Sequence, residues 1–324
     1  MTQHFGFPLL DIVVLAGVLI LSIIVDFWGH KDGKEIGIKS ALAWSGFWIA
    51  LALGYYAFLW VEYGKDFASL FLSGYVLEKS LSVDNLMVFM AIFASFGIRS
   101  TALQHKILLW GIAGAILFRA IFVSAGTALF HLHWAVQVGF GIIVAWSAYA
   151  IIKGGDDEEE VDHSKHWAVK WVGKIVPIGG VDGNKFLTKV KGKWYATPAL
   201  LCVVVIELTD VVFSFDSVPA VIGVTQEPLL VYSAMLFAIL GLRALFFVLS
   251  VAVKYLIHLE KAVAVVLVFV GAKLMYHAVN EHFNLFDFDI TAQASLYVVL
   301  GTLALGVIAS LVFPEKESAE LESQ

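Results

Sequence analysis

The chain has 324 residues, 60% of them hydrophobic and only 15% charged, with a mean hydropathy of +0.85. Soluble domains carry about a quarter charged residues, so a pair of ordinary soluble domains is excluded. Much of the formal net charge of -6 comes from Asp156-Asp157-Glu158-Glu159-Glu160 and from the tail after Pro314, so it gives no signal for nucleic acid. The single cysteine, Cys202, lies inside an apolar run and excludes disulfide and thiolate-metal arguments.

Apolar runs long enough to cross a bilayer recur along almost the whole chain. The predicted fold is all-α: a polytopic membrane protein with nine transmembrane helices at about 7–27, 36–60, 67–97, 103–130, 133–152, 197–223, 228–251, 256–278 and 291–313. The start, Met1 to Asp11, has no basic residue and no small-residue cleavage site before its apolar stretch, so it reads as an uncleaved first span. The third segment is too long for one straight crossing, and its Ser-rich, acid-bearing centre predicts a broken or re-entrant helix. Basic residues including Lys31, Lys34, Arg99, Lys106, Lys153, Lys185 and Lys254 fall in the odd-numbered connections, whereas the even-numbered ones hold only Lys65. The positive-inside rule then places the N-terminus outside and the C-terminal tail in the cytoplasm of a cell, with the bacterial inner membrane as the expected location. The long connection 153–196 reads as a solvated linker. Its acidic run with His163 and His166 is more often solvated than metal-loading, and Lys189 to Lys193 fit anionic headgroups before the sixth span.

The chemistry lies within the spans. Glu78-Lys-Ser-Leu-Ser-Val-Asp84-Asn85 and Asp210-Val-Val-Phe-Ser-Phe-Asp216-Ser217 share one template: an acid, three residues, Ser, one residue, Asp, then Asn or Ser. With Glu207 there are five intramembrane acids, each costing ~3 kcal/mol on insertion scales, a sum on the order of 15 kcal/mol before pairing or protonation. A bound cation, protons, or a buried Arg or Lys must offset that cost. A second similarity follows in the same order: Ala115-Ile-Leu-Phe-Arg119-Ala-Ile-Phe resembles Ala238-Ile-Leu-Gly-Leu-Arg243-Ala-Leu-Phe with one inserted residue. The repeat units are spans three to five and six to eight, within residues 67–152 and 197–278. They are flanked by two N-terminal helices in 1–66 and by a ninth helix with an acidic tail in 279–324. An odd number of crossings per unit makes the copies inverted, the architecture of secondary transporters that bind substrate where interrupted helices meet at the midplane.

On an unbroken helix Glu78 and Asp84 stand about 120° apart around the axis and ~9 Å apart along it. A break at Ser80-Leu81-Ser82 would let them converge and would free backbone carbonyls. Pro219 lies three residues beyond Asp216, and Glu207 sits one turn before Asp210. Two such motifs would bring Glu78, Asp84, Asp210 and Asp216 to one centre, with Asn85, Ser82, Ser214, Ser217 and Glu207 as supporting ligands. All of these groups bind through oxygen, which implies a hard divalent ion such as Mn²⁺, Mg²⁺ or Ca²⁺, and leftover carboxyls could carry protons. The bland alternative is that the acids pair with Lys79, Arg119, Arg243 and Lys273 and bind nothing. Arg119 and Arg243 either hold the carboxylates when the ion has left or fix helix packing. Lys273 either competes as an internal cation or snorkels to an interface. Gly111/Gly114 and Gly301/Gly306 read as close helix packing.

Those motifs, with Glu207-Leu-Thr-Asp210 running on to Pro219, resemble the TerC/Alx family of integral membrane proteins over all nine spans. The resemblance implies an exporter of the inverted-repeat type, associated with manganese export and tellurium resistance, and it assigns Glu78, Asp84, Asp210 and Asp216 to the ion. Gly271-Ala-Lys273 fits the family's Gly-x-Lys pattern, but the first repeat reads Ser147-Ala-Tyr-Ala150 at that place and lacks the lysine. The expectation is therefore a non-enzymatic exporter of a divalent cation, manganese first, working by exchange with protons. Its partners are the bilayer, the ion and protons, with no nucleic acid and no resident cofactor. A non-transporting scaffold for metal loading or assembly of other proteins is the competing class, and an amino-acid exporter is a weaker third.

Overall fold

The computed structural model describes residues 3–4, 7–28, 37–154, 167–179, 185–252, 256, 258–283 and 290–313. The acidic run 156–160, His163, His166, Lys31, Lys34, Lys254 and the tail from Pro314 lie outside the described residues.

Each of the nine predicted stretches falls on helix. In chain order these are α1 (Leu9–Trp28), α2 (Ile38–Tyr63), α3 (Lys65–Ser95), α4 (Thr101–Phe130) and α5 (Trp134–Gly154), all before the long connection. That connection holds a short α6 (Trp167–Ile175), and two tiny strands, β1 (Gln3–His4) and β2 (Phe7–Pro8), precede α1. A hairpin of β3 (Leu187–Val190) and β4 (Lys193–Ala196) leads into α7 (Pro198–Thr225), α8 (Pro228–Ile239), α9 (Leu242–Ala252), α10 (Leu259–Phe283) and α11 (Ala292–Val312). Among the described residues, six helices, α2, α4, α5, α7, α10 and α11, are long and apolar enough to cross a membrane, and α8 with α9 makes a seventh if the bent pair is one span. The protein is therefore an all-α polytopic membrane protein.

Local chemistry sets the boundaries. Thr197 caps α7 by accepting a hydrogen bond from the Leu200 amide at 3.4 Å, with Pro198 in the first turn, where a missing N–H costs nothing. Pro228 opens α8 in the same way, and Thr291 caps α11 through the Ala294 amide. Gly64, at φ 88°, separates α2 from α3, and Gln226, at φ 58°, ends α7.

Two expectations about helix breaks are corrected. α3 runs unbroken for 31 residues through Ser80-Leu81-Ser82, and α7 runs unbroken past Pro219. The serines at the expected break do not disrupt α3, because their hydroxyls bond back within the helix, Ser80 to the Val76 carbonyl and Ser82 to Glu78, as Ser73 does to Ser69 one turn and more earlier. That bonding satisfies the hydroxyls in an apolar setting without removing a ladder bond. The interruption lies instead between α8 and α9, which meet at 56°.

Helix α3 is the hub, packed by α2, α7, α8 and α11, with α10 and α9 also against it. α4 lies on α7 and α8, and α5 lies on α10 and α7. The α5–α10 seam is closest at Gly141, where a Cβ would stand 3.1 Å from the Gly271 carbonyl, so the two backbones approach as small residues permit.

Candidate ion site

Because α3 and α7 stay helical, each acidic pair keeps its ~9 Å axial separation, and neighbouring helices decide which groups meet. Arg119 projects from α4, is 2% exposed, and forms ion pairs with both Glu78 of α3 and Asp210 of α7. Its guanidinium takes Asp210 in a fork, Nη2 to Oδ1 at 3.0 Å and Nε to Oδ2 at 3.4 Å. A buried bidentate pair of this kind is the geometry for which arginine is suited. One cation thus joins the first acids of the two motifs.

The second acids form a different grouping. Asp84 has Glu260 of α10 and Asp216 of α7 as its electrostatic neighbours. Asp216 accepts from the Ser217 amide at 2.9 Å, faces Ser147 of α5, and lies in the field of Arg119. Among the described residues, neither buried carboxyl oxygen of Asp84 has a hydrogen-bond donor. The same holds for both carboxyl oxygens of Glu207.

Glu207 explains the glycines of α4. A Cβ built on Gly114 would collide with its carboxyl, and one on Gly111 would stand 3.5 Å from Oε1. Gly111 and Gly114 do allow close helix packing, but what they admit is an acid. Beside it lies a cavity of about 20 Å³ lined by Gly111, Glu207, Asp210 and Arg243 among apolar side chains. That is room for one water-sized species, such as a water or a bare ion.

The template serines are accounted for. Ser82 donates to the Glu78 carbonyl at 2.8 Å and Ser214 to the Asp210 carbonyl at 2.9 Å, the same bond in both motifs. Their protons are committed, although their lone pairs remain. Asn85 and Ser217 are buried nearby in sequence on the same helices. Among the described residues, no three His, Cys, Asp or Glu side chains are gathered as a metal would need them. The helix break that was to make the four acids converge is absent, and Arg119 stands between two of them.

The basic residues divide by position. Arg119 compensates charge directly, and Arg243 lines the Glu207–Asp210 cavity. Lys273 donates to the Val224 carbonyl at the far end of α7 and lines a separate cavity of about 200 Å³. Three positions escaped the sequence reading. Lys79, by sequence an ion-pair candidate, has its ammonium on the end of α8, at the carbonyls of Ala238 at 3.0 Å and Leu240 at 3.3 Å. Ser147 was noted only for not being lysine, and Glu260 sits at a predicted span end. The inserted Gly241 in the second copy of the repeat was the one available signal, since it marks the break that Lys79 caps.

The profile of the integral membrane protein TerC family matches residues 63–318. The chain belongs to that family. A tellurium resistance protein TerC of Serratia marcescens is 47% identical, with 98% of each chain covered. The chloroplastic thylakoid membrane protein TERC of Arabidopsis thaliana is 38% identical over 91% of this chain and 74% of its own. A putative membrane-bound redox modulator Alx of Escherichia coli K12 is 33% identical over 94% of this chain and 92% of its own. No solved structure matches. Within this TerC-family chain, both acidic motifs and both arginines fall inside the matched segment.

Proposed function

We propose that this chain is a secondary transporter that exports a divalent metal cation, manganese first and calcium or magnesium next, in exchange for protons. The observation that carries the reading is the pair of buried carboxyls, Asp84 and Glu207, whose oxygens find no donor among the described residues. Buried polar atoms without partners are rare in native structures, and an acid in that state calls for a proton or a cation. Charge points the same way. The two carboxyls without donors, Asp84 and Glu207, carry two negative charges if both are ionised. One divalent ion or two protons would neutralise them, and that equivalence is what exchange needs.

In this reading Arg119 holds Glu78 and Asp210 in the ion-free state and gives way when the cation arrives. Nine crossings, an outside N-terminus and inverted repeats belong to the proposal. The repeats are supported by the packing pattern: α4 on α7 matches α8 on α3, and α5 on α7 matches α10 on α3, when the two motif-bearing units are exchanged.

The test is Mn²⁺ uptake into inverted vesicles. Replacing Asp84 and Asp216 together by Asn should abolish uptake, and unchanged uptake would sink the proposal. The scaffold alternative is tested by deleting residues 156–166. A transporter keeps its flux, whereas a scaffold that uses the connection as its contact surface loses its partner.

A further inference from the structure

The connection between α5 and α7, expected to be a solvated linker, carries structure from Trp167 onward that the transport reading does not use. α6 is two-faced. Val169 packs into the apolar cluster beneath it, while Trp167, Lys170, Trp171 and Lys174, spaced three and four residues apart, form one outward stripe. Trp167 is 61% exposed and Trp171 60% exposed. The hairpin that follows repeats the composition: Lys189, Lys191 and Lys193 are exposed, Trp194 is 55% exposed, and Lys189 Nζ lies 5.7 Å from the Trp194 ring centre.

This surface is fixed to the helix ends. The Ala196 amide donates to the Pro177 carbonyl at 2.9 Å, and the Thr197 hydroxyl donates to the Lys185 carbonyl at 2.6 Å. Phe186 lies edge-on to Trp110 of α4 and beneath the Lys106 ammonium. The platform therefore sits where α4 and α7 begin, on one face of the helix bundle. No acid occurs among its described residues, 167–179 and 185–196.

We propose that α6 and the β3–β4 hairpin form a docking platform for the anionic phospholipid headgroups of the leaflet on that face. Charge complementarity selects this occupant. Tryptophans bury their rings at the headgroup level, the lysines beside them meet phosphate, and water alone would leave the rings exposed. Each lysine near an anionic leaflet is worth about fivefold in partitioning.

The test uses the full chain in vesicles and does not depend on transport. Trp171→Cys, in a Cys202→Ala background, carries a spin label whose accessibility to oxygen and to an aqueous nickel complex is compared. Vesicles of phosphatidylcholine are compared with vesicles containing phosphatidylglycerol. The expected result is a severalfold higher oxygen-to-nickel ratio with phosphatidylglycerol. That gain should be lost in a variant with Lys170, Lys174, Lys189 and Lys193 changed to Gln, whose helix content and thermal unfolding verify its fold. A label equally open to nickel in both vesicles would overturn the proposal. So would one shielded from both reagents, which would indicate a second copy of the chain as the occupant.

Discussion

The same short sequence is used twice in this protein, with different results. In α4, Ala115-Ile-Leu-Phe-Arg119 continues a 30-residue helix, and Arg119 reaches two carboxylates. In the second copy one glycine is inserted, and Gly241 takes φ 80°, a conformation in which only glycine is unstrained. The helix ends at Ile239, restarts at Leu242, and turns by 56°. Trp48 fills the space that a side chain on Gly241 would need, and Lys79 caps the freed carbonyls. Arg243 then faces the small cavity beside Glu207 and Asp210. One added residue thus bends the second copy and sets Arg243 in the lining of that cavity.

That contrast can be broken at three points. The largest effect is expected for Arg119→Leu, which leaves Glu78 and Asp210 buried without their shared cation. Removing one partner of a buried ion pair costs about 3–5 kcal/mol, read as a large drop in the unfolding temperature of the detergent-purified protein. Next comes Gly241→Ala, with an expected cost of ~3 kcal/mol, about half from the left-handed backbone and half from overpacking against Trp48. In a Trp48→Ala background, where the packing part is absent, Gly241→Ala should cost only the backbone part. The smallest effect belongs to Lys79→Met. Losing its hydrogen bonds to Ala238 and Leu240 should cost ~2 kcal/mol and speed amide exchange at the α8–α9 junction while leaving α4 unchanged.

The helices were legible because their cause is local. Runs of apolar residues at membrane length, proline at a first turn and threonine before it act through near neighbours in the chain, so each predicted stretch falls on helix, although 228–251 is divided between α8 and α9. The acids were legible as well, since a carboxyl in such a run stands out by its cost alone. The break was placed wrongly because serine-rich sequence was read as weak helix, whereas the hydroxyls of Ser80 and Ser82 are satisfied by the carbonyls four residues earlier. The stripe on α6 is not legible in one dimension, because the number of lysines is visible there and the face on which they align with tryptophans is not.

The sequence by itself determined an α-helical membrane protein with five acids and few bases in its interior, because hydropathy and charge are properties of residues. The tertiary structure decided that Arg119 joins Glu78 to Asp210, that Asp84 faces Asp216, that Gly114 admits Glu207 and that Lys79 serves a helix end. Those are distances between helices far apart in the chain, set by which ridges pack together, and no local rule encodes them.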